Sequence, residues 1–133
     1  MKTKLAFGIA ALGMVLASVP AIAHHSFAAE FDSAKPIKLT GSVTKIEWMN
    51  PHAYFYIDVK DGSGNVTSWG LEMGSPNGLM RQGWTRNSMK VGDEIVVEGS
   101  RAKDGSNIAN ARSVVLGSGE RLFAASSQDN PRQ

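Results

Sequence analysis

The chain has 133 residues, no cysteine, and 14 Lys+Arg against 12 Asp+Glu. The absence of cysteine excludes disulfides and thiolate metal sites, and the length admits one small core closed by ordinary apolar packing. Lys2 and Lys4 are the only charges before residue 24, so the rest of the chain is formally neutral, without the clustered basic face that nucleic-acid binding requires.

Residues 1–23 have the anatomy of a secretory signal peptide. Lys2 and Lys4 form a basic head, Leu5 to Val19 is an almost unbroken apolar run, and Ala21-Ile22-Ala23 offers the small residues a signal peptidase prefers. The run is short for a bilayer core of about 30 Å, and no second apolar run of about 20 residues follows. These features predict an exported protein, periplasmic or secreted, with no permanent membrane anchor. Cleavage after Ala23 makes His24 the new N-terminus, so a free amine and an imidazole share one residue, with His25 beside it.

Residues 24–36 read as an N-terminal arm with an apolar patch at Phe27-Ala28-Ala29, ended by Pro36. Residues 37–125 read as the folded domain. From Ile37 to Trp48 the residues favour a strand, but Leu39 and Val43 are odd-numbered whereas Ile46 and Trp48 are even. That change of parity predicts a bulge near Thr44-Lys45. Ala53, Phe55, Ile57 and Val59 then alternate with Tyr54, Tyr56, Asp58 and Lys60, the pattern of a strand with one buried face. Asp61-Gly62-Ser63-Gly64-Asn65 predicts a hairpin into a third strand, Val66 to Met73.

Ser75-Pro76 offers an N-cap with proline at the first helical position, and Gly83 is placed to stop a helix of about two turns that presents Leu79 and Met80 to the core. Trp84 is expected beneath it. A fourth strand follows over Glu94 to Gly99, a loop over Arg101 to Asn107, a fifth strand over Ile108 to Leu116 and a short sixth over Arg121 to Ala124. Residues 126–133 are polar and expected to be a disordered tail. Three strands, a short helix and two or three further strands match a small all-β barrel of the OB type, in which a helix between strands 3 and 4 plugs one end. A six-stranded sandwich uses similar strands and is the competing architecture.

Several blocks carry a resemblance. His24-His25-Ser26-Phe27-Ala28-Ala29-Glu30-Phe31-Asp32, Trp48-Met49-Asn50-Pro51-His52-Ala53, Gly74-Ser75-Pro76-Asn77 and Ala102-Lys103-Asp104-Gly105-Ser106 resemble a family of short exported bacterial proteins of unknown function. The resemblance spans nearly all of the chain after the leader and implies a periplasmic location. It implies no activity.

The residues themselves offer two functions. His52, the only histidine beyond 24 and 25, lies in the connection between the first two strands, which borders the ligand face of an OB barrel. An arm folded over that rim would let His24, His25 and His52 converge. Copper(II) accepts a tetragonal set of nitrogens including an amine, whereas zinc would want three or four side-chain ligands in a tetrahedron. Copper is therefore the first metal to expect, and Met49 is a possible thioether donor to copper(I). Cleavage two residues earlier would place His24 third, an arrangement that wraps a square-planar metal without help from the fold.

The alternative is a metal-free module for a small ligand or a periplasmic protein partner. It would use the outer aromatic face formed by Tyr54, Tyr56 and Trp69. Two adjacent histidines are also compatible with a plain polar start, and His52 with a turn cap. No nucleophile elbow is visible, the acid pairs Asp58/Asp61 and Glu94/Glu98 look like solvated strand positions, and Gly62-x-Gly64 does not open a helix. The expectation is a binding protein rather than an enzyme. Asn77, Arg81 and Arg86 form a polar surface near the helix to which no role is assigned.

Overall fold

The computed structural model describes residues 27–126. The leader (1–23), His24, His25 and residues 127–133 of the tail lie outside the described residues. One helical turn, α1 (Phe27–Glu30), runs directly into β1 (Phe31–Glu47), followed by β2 (Tyr54–Lys60), β3 (Val66–Glu72), α2 (Pro76–Arg81), β4 (Glu94–Ala102), β5 (Ile108–Val115) and β6 (Arg121–Phe123).

β1 is the frame of the molecule because it pairs on both sides. Its first part runs antiparallel to β4, from Pro36 opposite Ser100 to Ser42 opposite Glu94. Its second part runs antiparallel to β2, with Val43 opposite Ile57 and Ile46 opposite Phe55. The register skips between Val43 and Lys45, which leaves Thr44 as the extra residue of a bulge. Phe55 and Ile57 are both fully buried, and the bulge is what lets Val43 and Ile46 face them despite their opposite parity.

The strand starts six residues earlier than Ile37, within the segment expected to be an arm. β4 is longer than expected and continues to Ala102, so Phe31 finds a pairing partner there. The irregularity between Phe31 and Pro36 accommodates the proline, which has no N–H to give to a ladder. Beyond it, Lys103 N donates to Glu30 O at 2.9 Å and carries the pairing into α1.

The sheet order is β3-β2-β1-β4-β5-β6, and a parallel contact between β3 and β5 closes the ring. That contact covers Gly70–Glu72 against Ile108–Asn110. The ring β1-β2-β3-β5-β4, with α2 between β3 and β4, is a small all-β barrel with OB-like topology. A sandwich would leave β3 and β5 as separate edges, so the closing contact decides between the two architectures. The close approach of β4 to β5 depends on Gly99: a Cβ there would lie 1.9 Å from Asn110 O.

α2 adds Leu79 to the barrel core. Ser75 Oγ accepts from Gly78 N at 3.2 Å, Pro76 opens the helix, and Leu79 is completely buried. Met80, expected beside Leu79 in the core, is instead 52% exposed. The next residue along a helix is turned by about 100°, and six residues are too few for both to face the core. Trp84 packs with the core below α2, and its Nε1 donates to Phe123 O at 2.7 Å, which ties β6 to the same end.

Candidate functional site

Tyr54 opens β2 and stands directly opposite Glu72, the last residue of β3. Cross-strand partners point to the same face, so the phenol and the carboxyl meet on the outside of the sheet. Tyr54 Oη donates to Glu72 Oε2 at 2.6 Å, and Glu72 Oε1 lies 3.1 Å from Nδ1 of His52, two residues before Tyr54. Glu72 is only 7% exposed, yet both of its oxygens are occupied. A buried carboxyl group needs such partners, since an unpaired one would strongly destabilise the fold. Burial, and then the hydrogen bond to Glu72 and its charge, push the Tyr54 phenol well above its ordinary range. It therefore stays protonated, and a donor, through the neutral range. The His52 side chain is 28% exposed at the rim.

Tyr54 and Glu72 line a cavity of about 470 Å³, to which His52 is joined through Glu72. Ala29, Glu30 and Phe31 form one wall, Tyr54 and Glu72 a second, and Ala102, Lys103, Asp104, Ser106 and Ile108 the third. The chain segment that follows His24 and His25 is thus part of the same cavity as the carboxyl group that contacts His52. Lys103 fixes this wall, with its backbone N bonded to Glu30 O and its Nζ to Ala28 O.

The loop between β4 and β5 is stiffened from within. Asp104 Oδ1 accepts from the hydroxyl and the backbone N–H of Ser106, and these bonds hold its carboxyl below the usual carboxylate range. Arg101 lies 5.2 Å above the Trp69 ring and donates to the carbonyls of Gly105 and Ser106 and to Asn107 Oδ1. A rigid loop of this kind can wall a site without having to be ordered by a ligand.

The sequence-predicted residues are distributed unevenly around this rim. His52 is in the connection between β1 and β2, as expected, and its contact with Glu72 joins it to the cavity wall. Tyr54 and Tyr56 share the outer face of β2, but both hydroxyls are engaged. Tyr56 Oη donates to Glu47 Oε2 at 3.1 Å, Lys45 lies over its ring and pairs with Glu47, and the ring itself covers Gly70.

Trp69 does not join the two tyrosines on the outer face. It pairs with Ile57 and so points inward, where it is 9% exposed and packed with the core beneath Arg101. The register decides this: Tyr56 faces Gly70 and Tyr54 faces Glu72, leaving Trp69 and Leu71 on the buried side. Met49 is 51% exposed.

Sequence reasoning missed Glu72. The only available signal was an acid between the apolar residues Leu71 and Met73 in a strand, and its meaning depends on the partner strand. Among the described residues, no group of three or more His, Asp or Glu side chains gathers to hold a metal ion, and no helix is long and apolar enough to cross a membrane.

No curated protein and no solved structure matches the chain. A family model does match, over residues 11–111, and the chain belongs to that family, DUF6152, a family of unknown function.

Proposed function

We propose that this is a small exported binding protein, not an enzyme, that holds copper(II) at the mouth of the rim cavity through His24, His25 and His52. The leader supports export, to the periplasm in a Gram-negative cell, and cleavage after Ala23 supplies an amine and an imidazole on His24. One observation carries the reading. Ala29, Glu30 and Phe31 line the same cavity as Glu72, whose carboxyl contacts His52. Five residues of chain, about 18 Å at full extension, separate His24 from Ala29, where that wall begins, so the chain length allows the new terminus to reach the cavity.

Nitrogen donors of this kind favour copper(II), and a set without thiolate is a poor match for structural zinc. Capture of a metal-free ligand on the outer aromatic face has less support, because both tyrosine hydroxyls have internal partners and Trp69 faces the core.

The test is a copper(II) titration of tag-free mature protein, followed by electron paramagnetic resonance, with the terminus fixed by intact mass. One ion per chain is expected, and His24→Ala and His52→Ala should each weaken binding by more than about tenfold. An unchanged spectrum and stoichiometry in both variants would refute the proposal. A spectrum sensitive to His24 but indifferent to His52 would point to a terminal site independent of the barrel.

A further inference from the structure

We infer that Glu72 is a positioning residue that fixes His52 as the Nδ1–H tautomer and so leaves Nε2 as the nitrogen able to accept a hydrogen bond or bind a metal. As a statement about metal binding this rests on the copper reading above, but the tautomer itself can be measured without any metal.

A neutral imidazole has one N–H and one lone pair, and the hydrogen bond made by one nitrogen determines which role is left to the other. Nδ1 of His52 lies 3.1 Å from Glu72 Oε1. At that separation Nδ1 faces a carboxylate oxygen, and two facing lone pairs would repel, so the contact favours the proton on Nδ1 and leaves the lone pair on Nε2. Without a local partner, a histidine side chain in water favours the opposite tautomer.

Glu72 is built to stay where it is. It ends β3 in register with Tyr54 on one side and Asn110 on the other. Its side chain is only 10% exposed, and Tyr54 Oη occupies its second oxygen at 2.6 Å. The carboxylate therefore cannot rotate away without breaking the Tyr54 bond or burying an unpaired oxygen. A carboxylate behind a ligating imidazole orients the ring and makes the exposed nitrogen more basic, which strengthens metal binding. The sequence Tyr54, Glu72, His52 has that arrangement, with a donor locking the carboxylate and the carboxylate locking the ring.

The experiment is long-range proton–nitrogen NMR of metal-free mature protein at a pH where imidazole is neutral, with His52 assigned by comparison with His52→Ala. The expected wild-type spectrum has a protonated Nδ1 and an unprotonated Nε2. A predominantly Nε2–H ring, or a fast mixture, would overturn the inference without any variant being needed. Glu72→Leu keeps the bulk and removes the acceptor, so His52 should revert towards the Nε2–H form. Tyr54→Phe is the milder change and should shift the ring part of the way.

Copper titration of the same proteins separates the two readings. Glu72→Leu should bind about tenfold more weakly at unchanged stoichiometry. Equal affinity would remove the positioning role and leave the copper reading intact. A wild-type protein with Nδ1–H fixed and no affinity for copper(II) would instead refute the copper reading and confirm the tautomer lock.

Discussion

Asp61 illustrates how a single side chain sets a local structure here. Its Oδ1 accepts from Ser63 N and Asn65 N, its Oδ2 accepts from Asn65 Nδ2, and Gly64 takes the positive φ that closes the hairpin. These bonds, led by the Asn65 side chain, hold the Asp61 carboxyl below its usual range. A lowered folded value means that Asp61 contributes its full stability above the unfolded carboxylate pKa of about 3.9 and loses it as pH falls through the lower folded value. Asp61→Asn should therefore lower Tm at neutral pH and narrow the gap to wild type on acidification, as read by thermal melts at several pH values. The turn was legible in sequence because all of its partners lie within four residues. Glu72 was not, because its partners His52 and Tyr54 lie 20 and 18 residues away and only pairing brings them together.

At the scale of elements, α2 separates local from tertiary stabilisation. Its six residues are too few to be stable alone, so the cap directs where it starts and burial of one face keeps it in place. Ser75→Ala removes the bond to Gly78 N and should destabilise the protein by about 1 kcal/mol. Leu79→Ala empties a fully buried position and should destabilise it by about 2–5 kcal/mol. Denaturant unfolding of the two variants measures both, and a Ser75→Ala loss as large as that of Leu79→Ala would contradict this division. The helix start, the β1 bulge and the inward face of β2 could all be read from sequence, since each is a pattern within one segment. The early start of β1 could not, because Phe31 becomes strand only by having Ala102 to pair with.

The whole molecule depends on an unequal ring. β1 and β4 share a long antiparallel register, whereas β3 and β5 meet over three residue pairs and in parallel. The backbone N–H of Gly70, which donates to Asn107 O at this seam, should exchange with solvent faster than that of Val97 in the middle of β4. Hydrogen-exchange NMR would resolve the two amides, and equal protection would mean that the ring opens only by global unfolding. The candidate site lies beside the seam, because Glu72 belongs both to the β3–β5 contact and to the cavity wall. The sequence by itself determined the β-rich class, the order of strands and helix, the bulge and the place of His52 on a connection, since hydrophobic alternation and turn residues are local properties. Only the tertiary structure decided that the sheet closes, that Trp69 turns inward and that Glu72 stands between Tyr54 and His52. Those outcomes follow from the register between strands distant in sequence, which no single segment encodes.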